Sequence, residues 1–235
     1  MGKNLIQQAR GKGTPRYRCP SWNFVGSISL PKATNIKGKI VEIIDCPGHY
    51  APLAKINYED GETILIPAPF GVEENKDVEC GENAPIASGN ILPLKAIPEG
   101  VAIYGLEAKP FGGSKFCRTS GAMAKIVTKT AEKAIVELPS KKTKELDLNC
   151  RAIIGTVAGG GRKEKPVLKA GIAFYKFGVK NKKWPRTKAC AMNAVDHPFG
   201  NKRTRRKAKQ KPVSRFAPPG RKVGLLWPRQ TGKKK

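Results

Sequence analysis

The chain has 235 residues, of which 45 are Lys or Arg and 18 are Asp or Glu, so its net charge is +27. Its 25 Gly and 19 Pro disfavour long helices. No apolar run reaches the roughly 20 residues that span a bilayer, and the first residues lack the apolar segment of a secretory signal. We therefore expect neither membrane association nor secretion, and the charge predicts a polyanionic partner such as nucleic acid.

Charge is distributed unevenly along the chain. Residues 1–41 contain eight basic side chains and no acid, whereas residues 42–107 carry a net charge of −9. The following segments become increasingly basic and reach +13 over residues 196–235. Blocks of one sign repel themselves and rarely fold alone. We therefore expect an acidic folded module between basic arms that become ordered on a polyanion.

The pattern of apolar and polar residues predicts mainly short strands. The segments 52–58 and 63–67 flank an Asp60-Gly61 pair, which is a strong hairpin signal between β-branched runs. Turn residues at spacings of roughly 8–12 residues favour small β-barrels over alternating strands and helices. Further strands are predicted over 36–45, 101–107, 123–128, 134–139, 145–150 and 151–157, and helix only over 4–10 and in a piece between 166 and 177.

No motif predicts a cofactor or a metal. No two of the six cysteines lie closer than 27 residues, so no turn offers two thiolates to a metal, and reduced thiols in a cytosolic protein are expected. The glycine-rich stretches 112–115 and 159–162 lack the P-loop and dinucleotide patterns. They predict tight turns, or sites where backbone amides approach phosphates closely.

The two histidines give little support for an enzyme. His49 falls in a predicted loop between strands, and His197 follows Asp196, which could orient an imidazole. No motif signals a Ser or Cys nucleophile, and a loop histidine near RNA is the simpler interpretation of His197. We therefore expect no enzymatic activity.

Several short sequence motifs, in a fixed order along the chain, resemble those of a known protein family. They include GSKFCRTSGAMA from Gly113, CRAIIGTVAGGG from Cys150, NAVDHPFG from Asn193 and APPGRKVG from Ala217. The series covers most of the chain and resembles the large-subunit ribosomal protein "L-two" family. NAVDHPFG and APPGRKVG are similar to the archaeal and eukaryotic-cytosolic branch, and the archaeal type is favoured.

The resemblance implies an all-β fold in which an OB-fold barrel precedes an SH3-like barrel. It implies a basic N-terminal extension over 1–35, the OB-fold RNA-binding domain over 36–90, the SH3-like domain over 91–190 and a basic C-terminal extension over 191–235. The implied function is structural. The protein would bind large-subunit rRNA near the peptidyl-transferase centre in cytoplasmic ribosomes and support assembly, subunit association and tRNA positioning.

The implied partners are large-subunit rRNA, neighbouring ribosomal proteins and small-subunit components at the interface, without DNA or membrane. His197 lies in the Asp-His-Pro loop of the family and would position RNA rather than act as a catalyst. Alternating cations and aromatic rings, as in Arg16-Tyr17-Arg18, suit phosphate contacts beside stacked bases. The predicted RNA-binding residues are Arg10, Lys12, Arg16, Tyr17, Arg18, Lys115, Arg118, Arg151, Arg162, Lys163, Lys169, Lys183, Trp184, Arg186, Asn193, Asp196, His197, Lys202, Arg203, Arg205, Arg206, Arg215, Arg221 and Lys222.

The sequence leaves two alternatives open. The basic charge alone also fits a protein that compacts DNA or RNA outside the ribosome, and the three tryptophans Trp22, Trp184 and Trp227 could either pack internally or stack on bases.

One departure from the family pattern affects the His197 loop. Gly200 is followed by Asn201 and basic residues where the family usually has glycines. We therefore expect the backbone path after Gly200 to differ from that of the family.

Overall fold

The computed structural model describes residues 3–201 and 212–226, and strands dominate it. The two α-helices in this part of the chain are α1 (Ile6–Gly11) and α2 (Ala170–Gly178), and the 3₁₀ helices are Pro15–Tyr17, Ser21–Asn23, Ala189–Ala191 and Pro219–Arg221. The all-β prediction is confirmed. The strands are β1 (Ile36–Ile44), β2 (Leu53–Tyr58), β3 (Thr63–Pro67), β4 (Asp77–Cys80), β5 (Ile91–Pro93), β6 (Ala102–Tyr104), β7 (Leu106–Glu107), β8 (Ser114–Phe116), β9 (Ala124–Lys129), β10 (Lys133–Glu137), β11 (Thr143–Asp147), β12 (Arg151–Ile154), β13 (Pro212–Val213) and β14 (Leu225–Leu226).

Ten strands form one sheet in the order β11-β10-β9-β6-β12-β5-β4-β1-β2-β3. Its neighbours are antiparallel except for β4 and β5, which are parallel. The predicted Asp-Gly hairpin connects β2 to β3, and the Asp60 carboxylate accepts the Glu62 N–H at 2.9 Å. Gly61 supplies the positive φ of +81° that this turn requires.

The central strands contribute to two hydrophobic cores. Along β5, Ile91 belongs to the first core and Leu92 to the second, and along β12 Ile153 belongs to the first while Ala152 and Ile154 belong to the second. Successive side chains of a strand point to opposite faces, so the two cores lie on the two sides of these strands. Two cores are compatible with the two predicted barrels, whose boundaries stay a prediction.

Several predicted strands differ in extent from the observed ones, and the strand predicted over 151–157 already ends at Ile154. Two of these differences have a local reason. The strand predicted over 101–107 is divided at Gly105, which has a φ of +62° and whose Cβ would lie 2.9 Å from the Ile153 side chain. The strand predicted over 145–150 ends at Asp147 because its carboxylate accepts the Asn149 N–H at 2.8 Å and forms a turn.

The chain divides into two compact units. The sheet unit comprises residues 21–167 and contains the ten-stranded sheet. The tail unit combines residues 1–20 with residues 168–235, and in it the Asn181 side chain donates to the carbonyls of Arg16 at 2.5 Å and Arg18 at 2.9 Å. None of the helices in the described part of the chain has the length and apolar composition to cross a bilayer.

Candidate nucleic-acid interface

A cleft in the tail unit gathers basic side chains from both ends of the chain. It has a volume of about 940 Å³ and lies between α1 and the segment that precedes His197. Lys3, Arg10, Lys183 and Arg186 line it together with a single acid, Asp196. The Lys3 ammonium and the Asp196 carboxylate are 4.0 Å apart and both exposed, so this pair contributes little to stability. The excess of cations suits a polyanion.

The loop that carries His197 is closed by its own backbone. The Asn193 carbonyl accepts the N–H groups of Asp196 at 3.0 Å and His197 at 3.2 Å, and the Asn201 N–H donates to the Met192 carbonyl at 2.8 Å. A Cβ on Gly200 would collide with the backbone of Met192 and Asn193, so only glycine fits there. These contacts therefore hold the backbone that carries the imidazole in one conformation.

The imidazole of His197 is held as a neutral ring. The Phe199 N–H donates to Nδ1 at 3.0 Å, so the proton of the neutral ring is on Nε2. Partial burial lowers the pKa of His197, and the Phe199 ring lies 5.2 Å from the imidazole. At neutral pH, the side chain in the cleft is a hydrogen-bond donor and carries no charge.

The aromatic residues of the basic arms differ in their surroundings. Trp184 is half-buried and stacks on Phe177 of α2, with ring centroids 6.3 Å apart, so its indole packs within the tail unit. The Arg16 guanidinium lies 6.0 Å from the Tyr17 ring. Trp22 is 83% exposed and available for stacking, whereas Trp227 lies outside the described residues.

A second basic site in the sheet unit lies at the glycine-rich stretch. The half-buried Arg162 guanidinium lies 3.8 Å from the Tyr50 ring centroid, and its Nε donates to Ser120 Oγ at 3.1 Å. Gly159 and Gly161 both have a φ of +74°, so the predicted tight turn is confirmed. A cavity of about 240 Å³ adjoins it, and Lys163 is among its lining residues.

Arg151 does not belong to an exposed RNA-binding surface. It is 6% exposed, and its guanidinium donates to Glu107 Oε1 at 2.9 Å and to the Pro31 carbonyl at 2.6 Å. Glu107 is completely buried, so the two charges neutralise each other inside the sheet unit. The basic residue type suggested RNA contact, but the side chain is used internally, and we leave it out of the proposed surface.

The other predicted residues fall into three groups. Lys222, like Arg10 and Tyr17, is partly exposed. Lys202, Arg203, Arg205 and Arg206 lie outside the described residues. The remaining residues are exposed, namely Lys12, Arg16, Arg18, Lys115, Arg118, Lys163, Lys169, Lys183, Arg186, Asn193, Asp196, Arg215 and Arg221.

Sequence reasoning missed several residues that shape this interface. Asn181 joins the two ends of the chain, and Tyr50 and Ser120 orient Arg162. For Asn181 a signal existed, since an Asn between lysines is suited to a left-handed turn, and its φ is +48°. The contacts of Tyr50 and Ser120 are long-range and leave no local pattern.

The cysteines are all free thiols. Burial raises the pKa of both Cys117 and Cys150 to about 11, so these thiols are protonated at neutral pH. Within the described ranges, no group of three or more His, Cys, Asp or Glu side chains could hold a metal ion.

Comparison with known families identifies the class of protein. The family model described as Ribosomal Proteins L2, C-terminal domain, matches residues 87–217, which is more than half of the chain. The chain therefore belongs to this family of large-subunit ribosomal proteins.

Relatives of known name cover the whole chain. It is 47% identical to the large ribosomal subunit protein uL2 of Methanothermobacter thermautotrophicus, 48% to that of Methanocaldococcus jannaschii and 46% to that of Methanobrevibacter smithii. Each match covers 100% of both chains. These relatives are archaeal, so the archaeal type favoured by the sequence is confirmed.

Proposed function

We propose that this chain is a structural constituent of the large ribosomal subunit that binds large-subunit rRNA, chiefly through its tail unit. The observation that supports the proposal most directly is the cleft with four cations and one acid between the two ends of the chain. The relatives are named as large ribosomal subunit proteins, which agrees with this role. The role is that of a cytoplasmic ribosomal scaffold and not of an enzyme.

Recognition in this proposal rests mainly on the RNA backbone. Arg186 can grip a phosphate with paired donors, and Lys183 supplies a point charge beside it. Backbone contacts of this kind fix register and orientation, and they carry little sequence information. The sheet unit contributes a second point of attachment at Arg162 and Lys163, and neighbouring ribosomal proteins and small-subunit components complete the set of partners.

His197 has a positioning role near the peptidyl-transferase centre in this proposal. Its Nδ1 is occupied by the Phe199 N–H, so its Nε2–H can donate to an RNA oxygen but cannot take up a proton while this bond persists. We expect subunits with His197→Ala to form peptide bonds more slowly at every pH. His197→Gln, which retains a donor, should restore part of the rate. A rate defect confined to one side of the imidazole pKa would instead indicate a general base.

Co-sedimentation tests the ribosomal role. The protein should remain with isolated large subunits after a high-salt wash, because contacts of its folded units that do not depend on phosphate charge hold it in place when salt weakens the phosphate contacts. Recovery in the nucleoid fraction and not with subunits would favour the compaction of DNA or RNA outside the ribosome.

A charge-matched pair of variants tests the cleft. Lys183→Gln with Arg186→Gln removes two cleft cations, whereas Lys39→Gln with Lys142→Gln removes two exposed cations of the sheet unit. We expect the first pair to weaken rRNA binding more strongly than the second. Equal losses would mean that the cleft has no special part in binding.

A further inference from the structure

Phe111 is an exposed aromatic residue on a strained backbone. It lies in the loop between β7 and β8, its side chain is 64% exposed, and its φ is +56°. A residue with a Cβ rarely adopts such a φ, and for a bulky one it is a true outlier. Glycine would fit this position without strain, yet the chain places a large ring there.

A buried carboxylate holds this loop in place. Glu107 Oε2 accepts the Phe111 N–H at 3.2 Å, and Oε1 accepts the Gly113 N–H at 3.2 Å. The same carboxylate pairs with Arg151, which helps to fix its position. The strained conformation is therefore supported by backbone hydrogen bonds to a buried carboxylate.

The Phe111 ring forms one wall of a cavity. The Arg151 guanidinium lies 4.7 Å from the ring centroid, and the adjoining cavity has a volume of about 330 Å³. Asn35 and Asn149 line it with amide groups, and the Lys95 ammonium, which is 2.7 Å from a Glu82 carboxylate oxygen, lies at the same cavity. An aromatic wall with amides nearby offers both stacking and edge hydrogen bonds to a planar polar group.

The charge around Phe111 indicates which planar group this is. Residues 108–131 include five basic side chains and no acid, and Lys115 and Arg118 of this stretch are exposed and are among the residues predicted to bind RNA. Glu107 is buried and paired with Arg151, and Glu82, the acid that lines the cavity, is paired with Lys95. A polyanion with unstacked planar bases fits this combination better than an acidic or apolar peptide would.

We infer that Phe111 and the adjoining cavity form a stacking site for a single unpaired base of the bound RNA. The inference rests on the proposed rRNA binding and adds a contact that the basic residues do not provide. Phosphate contacts alone would hold any RNA, whereas this site requires a base that is free of its helix.

The test compares variants of the full chain bound to large-subunit rRNA. Phe111→Ala should weaken binding by about 5- to 150-fold, the loss expected for one stacked base. Phe111→Trp should bind like the parent, because it retains an aromatic face. Phe111→Leu, which keeps apolar bulk without that face, should behave like Phe111→Ala. Phe70→Ala is the control, since Phe70 is 75% exposed but does not line this cavity.

Two further measurements separate stacking from a structural effect. Phe111→Gly should raise the melting temperature, because it relieves the left-handed strain, and should still lose affinity. Chemical probing should show one nucleotide protected by the parent and by Phe111→Trp but reactive with Phe111→Ala, while the remaining footprint is unchanged.

The outcomes distinguish this inference from the proposed function. Parent-like affinity and footprint for Phe111→Ala would overturn the stacking site and leave rRNA binding standing. Loss of affinity accompanied by a lower melting temperature in both Phe111→Ala and Phe111→Gly would also overturn it in favour of a structural role. Absence of rRNA binding by the parent chain would contradict the proposed function itself.

Discussion

The imidazole of His197 lines the cleft, and its Nδ1 accepts the Phe199 N–H. Because burial lowers its pKa, the unfolded chain binds a proton at higher pH than the folded chain. The neutral imidazole therefore makes its full contribution to loop stability at pH values above the ordinary histidine pKa of 6.5, and this contribution is lost as the pH falls below that value. We expect nitrogen NMR to give a midpoint below 6.5 and the Nε2–H tautomer. A midpoint at or above this value, or a proton on Nδ1, would contradict the geometry.

The pair of Glu107 and Arg151 is the most deeply buried ion pair of the described residues. Glu107→Gln keeps the shape but leaves a guanidinium without its counter-charge, which typically costs about 3–5 kcal/mol. Glu145→Gln is the matched control, because the Lys133–Glu145 pair is exposed at 3.1 Å and such pairs contribute less than about 1 kcal/mol. Urea unfolding of both variants gives the comparison, and similar losses would disprove the special role of burial.

At the scale of the elements, adjacent residues of β12 serve different cores. Ile153 belongs to the first core together with Ile91 on β5, whereas Ile154 belongs to the second. The losses of unfolding free energy caused by Ile153→Val and by Ile154→Val should therefore be additive to within about 0.5 kcal/mol, although the residues are neighbours in sequence. Ile153→Val and Ile91→Val should show a coupling above about 0.5 kcal/mol, since they share one core. The free energies of unfolding of the single and double variants provide this test, and coupling between Ile153 and Ile154 would refute it.

Elements with a strong local signal were predictable. The hairpin of β2 and β3 has alternating β-branched residues and an Asp-Gly turn, and its observed bounds agree closely with the prediction. The short strands β4, β5 and β8 were missed because three or four residues carry too little pattern, and their pairing is long-range. β5 even ends in Pro93, a residue that usually argues against a strand.

The candidate site was predictable in composition but not in arrangement. Residue type and charge indicated Lys183 and Arg186, and the structure brings them together with Arg10 in one cleft. Burial of Arg151 depends on Glu107, 44 residues away, and no local pattern reveals such a pair. The positive φ of Phe111 likewise results from the fold around the loop, and a phenylalanine in the sequence does not predict it.

The two units differ in the size of their cores, which bears on the whole molecule. The buried apolar side chains of the tail unit, within the described residues, are Leu5 and Ala173, whereas the sheet unit has two extensive cores. A unit with few buried contacts opens at low free energy. Limited proteolysis of the free chain should therefore cut within 3–20 and 168–201 well before 21–167, and bound rRNA should suppress these cuts. Equal resistance of both units without RNA would contradict this.

The net charge of +27 leads to a prediction for the complete chain. A protein that neutralises phosphates releases condensed counterions, so its affinity falls with salt in proportion to the number of contacts. If the chain makes roughly 6–10 phosphate contacts, its affinity for rRNA should fall by about 10³–10⁵ between roughly 50 and 200 mM salt. Each cleft cation removed, as in Lys183→Gln or Arg186→Gln, should reduce the slope of log affinity against log salt by about one. By contrast, Phe111→Ala should lower affinity at every salt concentration and leave the slope unchanged, because a stacked base releases no counterion. Titrations of these three variants and the parent at several salt concentrations separate the two kinds of contact. An affinity of the parent that does not depend on salt would show that the basic surface is not where RNA binds.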